Sequence, residues 1–358
     1  MSAEQLAELS DLFVLAAVLL YLFSMIAFAA ELAFGRARSN AAGGQSRAAV
    51  PVSASDAAVS DGAALDAALE AVTAEAAVKV GASVPAGAAR GAGLPAEPGD
   101  EPGGVPATDG PREVEPPRWV ARAGQVAIVL GWLGWAANLG AIVTRGLAVD
   151  RWPWANMYEF VVAICFAAVT AFLTTQLRQN VRFLGPFVMV TATLGLGFAV
   201  KVLYTAAGPV VPALNSYWVA IHVTAAILAS GLFILAGVAG ILYLLRGDGL
   251  SRLPARADLE RVAHRAIVLS FPIWTFAVIA GALWADKAWG RYWGWDPKEV
   301  WAFITWVAYA AYLHARVTAG WRGRAATIVQ LLAFGCLLFN LVGVNMLLGG
   351  LHSYADVP

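Results

Sequence analysis

Apolar runs of membrane-spanning length recur along the chain, near residues 12–34, 122–144, 157–177, 185–206, 217–245, 262–286, 299–319 and 325–348. Roughly 20 apolar residues in a helix, rising 1.5 Å each, cross about 30 Å of hydrocarbon. The runs are continuous, without the alternating segments of about ten residues that a closed barrel needs. Lipid offers backbone groups no water to bond, so a lone spanning segment must satisfy itself as a helix. The expected fold is therefore all-α, a polytopic transmembrane helix bundle of about eight spans. The first run follows an acidic start, Glu4, Glu8 and Asp11. A secretory signal begins basic, so residues 1–34 are read as a retained helix.

Residues 35–117 break the pattern. They are rich in Ala, Gly, Pro and Ser and nearly free of aromatics. Such a stretch buries too little apolar surface to offset its ordering entropy. It is expected to be a long disordered linker, with at most a weak Ala-rich helix over 61–80. The rest, 118–354, is expected to be one transmembrane domain. Composition agrees with lipid as solvent, being 59% hydrophobic and 13% charged, where soluble domains run near 45–50% and 25%. A net charge of zero gives no sign of a nucleic-acid partner. Cys165 and Cys336 lie inside apolar runs, read as small buried hydrophobes, and form no CxxC pair.

Basic residues set the orientation. Arg36, Arg38, Arg118, Arg122, Arg178, Arg182, Arg246, Arg252, Arg256, Arg261, Arg265, Arg316, Arg322 and Arg324 fall on one side of the runs. The smaller set of Arg145, Arg151, Lys201, Lys287, Arg291 and Lys298 falls on the other. The first side is read as cytoplasmic and holds the linker. Both termini are then expected outside a plasma (cytoplasmic) membrane, with outer loops near 145–156, 205–217 and 286–298.

Chemistry-bearing residues are few. There is no HExxH, no Walker loop and no GxSxG, so the usual tools of zinc hydrolysis, phosphoryl transfer and serine hydrolysis are missing. Four histidines remain. His222 falls near the outer start of the fifth run and His352 just past the outer end of the eighth, so the two are expected to face each other at one level. His314 lies deep, about 22 Å from the outer end of the seventh run. His264 starts the sixth run beside Arg265 and reads as an interfacial residue. A lone interfacial histidine is usually a hydrogen-bonded structural residue, while imidazole is also a good iron ligand.

The segment WADKAWGRYWGWDPKEVWAFITW shifts that balance. It packs Trp284, Trp289, Trp293, Trp295, Trp301 and Trp306 into about two dozen residues, with Tyr292, Gly290 and Gly294 among them. Ordinary interfacial belts hold one or two tryptophans per span end. This density suits a platform for a flat aromatic ligand, with Lys287, Arg291 and Lys298 placed to meet carboxylates. A haem answers that description. Asp296-Pro297-Lys298-Glu299 also reads as a plain helix start, with Asp296 as cap, Pro297 at the first turn and Glu299 closing a capping box.

The stretch GALWADKAWGRYWGWDPKEVWAFITWVAYAAYLHAR resembles the tryptophan-rich WWD segment of cytochrome c biogenesis proteins of the CcsA/ResC family. WANMYEF at 154–160, VPALNSYWVAIHV at 211–223, FPIWTFAVIAGALWA at 271–285 and LHSY at 351–354 agree with it. The resemblance covers roughly 122–354, with the WWD segment at 284–306. It implies that His222 and His352 supply the axial ligands of an external haem b over Trp289, Trp293, Trp295 and Asp296. It implies an inner haem site for His314. Haem would be both ligand and substrate, presented outside the membrane for attachment to an apocytochrome c carrying CxxCH. The chain would be a subunit of a system II cytochrome c synthase with a CcsB/ResB-type membrane partner and a thiol-reducing protein upstream. Three features depart from the pattern. His264 stands where relatives often carry Tyr, the single deep histidine leaves an inner bis-histidine site to be completed by the partner, and the first span and linker look like an addition. A bis-histidine b-type electron-transfer cytochrome and a small-molecule or lipid transporter are the rival readings.

Overall fold

The structure, a computed structural model, describes residues 1–35, 117–209, 214, 216–246 and 253–352. The chain divides into two compact units, residues 1–40 with 114–358 and residues 41–113. All described residues belong to the first. The expected linker (apart from its two ends), its Ala-rich stretch at 61–80, Arg36, Arg38, Arg252, most of VPAL and the end of LHSY lie outside them.

Helices and their connecting turns make up the described residues, with no strand among them. The helices are α1 (Ala3–Phe34), α2 (Arg118–Val149), α3 (Met157–Arg178), α4 (Gly185–Val202), α5 (Tyr217–Leu245), α6 (Arg256–Trp289), α7 (Pro297–Thr318), α8 (Gly323–Leu338) and α9 (Val344–Leu347). A single 3₁₀ turn, Arg182–Leu184, leads into α4, and a π turn, Phe339–Gly343, joins α8 to α9. Seven of the resulting rods are long and apolar enough to cross a membrane. The other, α7, has 22 residues but is amphipathic, with Lys298, Glu299, His314 and Arg316 among them. The all-α multi-pass bundle expected from the apolar runs is what the chain forms.

Helix ends run past those runs. α6 covers 256–289 where the apolar stretch covers 262–286, and α2 continues to Val149. Hydrocarbon thickness sets a minimum apolar length, while backbone hydrogen bonding carries on into the polar ends. Arg145, expected in an outer loop, is accordingly inside α2 and only 3% exposed.

Close packing uses small residues and hydroxyls, as it must where lipid supplies no hydrophobic drive between helices. Ser10 and Ser24 on α1 donate to the carbonyls of Ala141 and Ala127 on α2, at 2.9 and 2.8 Å. Tyr21 fills the space over Gly134. The first span therefore belongs to the core of the bundle, with Tyr21 and Phe28 fully buried. α5 is the most enclosed span, its Ala and Gly positions meeting α3, α6 and α8. Phe233 of α5 stacks on Tyr309 of α7 with ring centroids 3.8 Å apart. Leu12, Leu15, Phe23, Val126 and Val129 stay exposed on α1 and α2, as suits a face toward lipid.

The ends of the bundle are tied by ion pairs. Away from the tryptophan loop, Glu31 pairs with Arg182 at 3.2 Å, and Glu260 pairs with Arg316 while accepting from the Gly323 N–H. The tryptophan-loop end carries the candidate site.

Candidate functional site, a tryptophan-lined cavity

The tryptophan loop is built by one carboxylate. Glu299, three residues into α7, accepts from the N–H groups of both Gly294 and Asp296, at 2.8 and 3.0 Å. Those two bonds bracket Trp295, whose φ of 57° is a left-handed conformation that costs a non-glycine residue about 1 kcal/mol or more. Asp296 caps α7 by accepting from the Lys298 N–H at 3.2 Å, and Pro297 needs no partner at the first helical position. The plain helix start foreseen in the sequence is present, and it holds the loop in one shape.

Asp296 does more than cap. It also accepts from the Leu351 N–H at 2.7 Å and meets His352 Nδ1 at 2.9 Å. Gly350 permits this approach, since a Cβ there would lie 2.5 Å from the carboxylate. Burial alone would raise the Asp296 carboxyl, but the bonds from His352, Leu351 and Lys298 outweigh it and hold the group below the usual carboxylate value. Asp296 is thus a carboxylate, and His352 Nδ1 is its donor. That leaves the acceptor lone pair of His352 on Nε2.

His222 is fixed in the same sense from α5. Its Nδ1 lies 2.7 Å from the Ala277 carbonyl of α6. A carbonyl only accepts, so Nδ1 carries the proton and the lone pair again falls on Nε2. Gly281 makes room for the ring, as a Cβ there would sit 2.7 Å from His222 Cε1. Gly281→Val is therefore expected to displace His222 while leaving α6 helical. An unaltered metalloporphyrin-binding spectrum in that variant would contradict the placement.

Trp284 packs on both imidazoles. Its ring lies 6.1 Å from His222, nearly parallel to it, and 5.6 Å from His352, edge to face. The imidazoles can be no farther apart than the sum of those distances. Trp289 packs on both Trp284 and His352, at 4.7 and 5.0 Å. All four line one cavity, together with Trp154, Met157, Trp274, Tyr292, Trp293, Lys298, Asn340 and Asn345. Sites for small molecules pair apolar walls with a few placed polar groups, as this one does. A broad planar ligand carrying a metal that takes two imidazoles fits this donor set.

The other expected site residues separate. Trp295 and Arg291 are exposed and outside the cavity lining, with Arg291 folded back over the Gly294 carbonyl. His314 is also outside it, exposed near the far end of α7 beside Thr318. His264 meets the Tyr312 hydroxyl near that end. The sequence reading missed Trp274, Met157, Asn340 and Asn345. Asparagines within an apolar span were the available signal for the last two.

A buried ionic clasp holds another stretch of the cavity wall. Glu159, whose side chain is fully enclosed, pairs with Arg145 at 3.2 Å and Arg151 at 2.9 Å, and accepts from the Ala155 N–H. Arg145 also reaches the Thr205 carbonyl and faces Asp11 of α1, while Arg151 reaches the Gly208 carbonyl. Asn156 caps α3 through the Glu159 N–H. Trp154, Asn156 and Met157 are thereby fixed as cavity wall. Glu159→Gln is expected to lower stability by roughly 3–5 kcal/mol, since one partner's removal leaves buried guanidinium charge. A thermal melt in detergent reads this directly.

The family described as Cytochrome C assembly protein matches residues 154–352, more than half of the chain. This chain belongs to that family. Its relatives include a protein named Cytochrome c biogenesis protein CcsA from Gloeobacter violaceus, 29% identical over 66% of this chain and 90% of the relative. A protein of the same name from Synechococcus elongatus is 31% identical over 64% and 86%. One from Chlamydomonas reinhardtii is 36% identical over 60% and 64%. The family segment begins at Trp154 and ends at His352, so it opens on the cavity's clasped wall and closes on its second imidazole. It supports a role for this multi-pass membrane protein in cytochrome c biogenesis.

Proposed function

We propose that this protein presents haem b for covalent attachment to an apocytochrome c, as a subunit of a system II cytochrome c synthase. The observation that carries the reading is the pair of imidazoles, from α5 and from the turn after α9. Each is tied through Nδ1, which leaves Nε2 to ligate, and both pack on Trp284 in one cavity. Histidines that bind metal usually donate their other ring nitrogen to a carbonyl or a carboxylate, and here there is one of each. Trp274, Trp284, Trp289 and Trp293 supply apolar faces for a macrocycle. Haem brings its own electronic chemistry; the chain supplies orientation, two ligands and a dry wall. The reaction adds a reduced thiol of CxxCH across a vinyl group, and nothing leaves.

The same reading places the tryptophan loop on the outer side of the plasma membrane, by the excess of Arg at the opposite end. It gives the exposed His314 to an inner haem site completed by a CcsB/ResB-type partner, and it keeps an upstream thiol-reducing protein as supplier of reduced apocytochrome. The test joins genetics and spectroscopy. A strain lacking this chain should lose haem-stained c-type cytochromes while keeping b-type ones, and the purified chain should carry haem. Normal c-type cytochromes in that strain would remove the reading. A haem that cycles reversibly with no effect on apocytochromes would favour the b-type electron carrier instead.

A further inference from the structure

Lys298 and Asn340 are two polar groups of the cavity that the two-histidine reading leaves without a task. Lys298 is the second residue of α7 and its ammonium crosses to the Asn340 carbonyl at 2.6 Å. The π turn makes that possible. Within it the Val344 N–H bonds to the Phe339 carbonyl, so the Asn340 carbonyl loses its α-helical partner and takes the lysine. π turns of this kind often mark functional sites.

Two deficits remain at this spot. The first is charge. Among the described residues no carboxylate lies within ion-pair distance of Lys298, because Glu299 is committed to the tryptophan loop and Asp296 to His352. A cation drawn into a helix bundle is costly when its hydrogen-bond partner is a neutral carbonyl. The second is a hydrogen bond. Asn340 is 2% exposed, lines the cavity, and its side-chain Oδ1 has no partner. An amide turned through half a rotation presents its NH₂ group in place of its oxygen. A ligand carboxylate answers the ammonium with one oxygen and, with the amide so turned, accepts from its NH₂ group with the other.

We propose that Lys298 and Asn340 form an inward subsite for one carboxylate of the cavity's planar ligand. The subsite sits where α7 meets the π turn, away from exposed Arg291. It makes the site asymmetric, with one carboxylate held inside the bundle and the other at the mouth. That asymmetry fixes which edge of the macrocycle faces an incoming chain. The inference rests on the haem reading above and adds the direction in which haem is held.

The test uses full-length purified protein in detergent, titrated with iron protoporphyrin IX and with its dimethyl ester and followed by absorbance. The wild type should prefer the diacid by roughly ten- to a hundredfold, the range of a charge-assisted hydrogen bond. Lys298→Met should bring the ratio near one. Asn340→Asp should do the same, by giving Lys298 an internal carboxylate. The low-spin spectrum should be shared by both compounds. Equal affinity for acid and ester in the wild type overturns the subsite, and needs no variant to fold. So does a preference that survives both substitutions, or one that is lost on Arg291→Gln instead. Failure of the haem reading itself looks different, with neither compound giving a low-spin spectrum that depends on His222 and His352.

Discussion

Replacing His222 and His352 together by Ala is expected to abolish the low-spin haem spectrum of the purified protein, with affinity falling more than about a hundredfold. Loss of one outer hydrogen-bond partner of a ligating histidine already costs about 10–100-fold, and here both ligands go. Each single variant should give a five-coordinate, high-spin spectrum. Added imidazole should restore the low-spin form, since the cavity left by a missing ring is bounded by Trp284 on one side and Gly281 or Asp296 on the other. His264→Ala should leave the spectrum as it is, because that ring lies near the other end of the bundle against Tyr312. A double variant that keeps a low-spin spectrum would refute the assignment of these two ligands.

The second large effect belongs to Asp296, which never touches iron in this scheme. One carboxylate orients His352, anchors the Leu351 N–H and caps α7. Asp296→Ala removes all three. Affinity for haem is expected to fall about 10–100-fold, and stability by about 1 kcal/mol for the lost cap. Asp296→Asn separates the two roles. Its amide oxygen still caps the helix, so stability should recover while the imidazole loses its charged partner and affinity stays low. Equal affinity in the Asn variant and the wild type would show that charge at this position is irrelevant to the ligand. Parallel melting curves and haem titrations provide the comparison.

Much of the architecture could be read from the chain alone, because a spanning helix is a local object. Twenty apolar residues suffice to declare it, and the runs at 157–177 and 217–245 differ from α3 and α5 by at most a residue. The ends were less legible, since nothing in a polar flank says where helical hydrogen bonding stops. Arg145 shows the cost, being read as loop charge when it is buried against Glu159. α7 shows another limit. Its Trp, Tyr and His positions dilute the hydropathy of a rod whose Thr305, Tyr309 and Tyr312 are buried in the bundle.

The cavity was legible only in outline. His222, His352 and the tryptophan loop were found as types in unusual density. Which tryptophans matter depends on the turn that Trp295 and Glu299 create, and that turn sends Trp295 outward while Trp284 and Trp289 line the cavity. Trp274, Asn340 and Met157 come from three further stretches and meet only in the folded bundle. The π turn leaves no mark that residue periodicity over five positions can reveal.

The clasp around Glu159 bears on how the molecule can be taken apart. Three of its groups, Asp11, Arg145 and Arg151, sit upstream of residue 154, where the family match starts. A fragment cut at that boundary would inherit a buried acid stripped of both its arginine counter-ions, and Tyr158 and Tyr204 would both lose the Asp11 oxygens they reach. The smallest autonomous piece for expression, crystallisation or grafting into another host therefore retains both leading rods, and evolutionary likeness marks out less than a self-sufficient module.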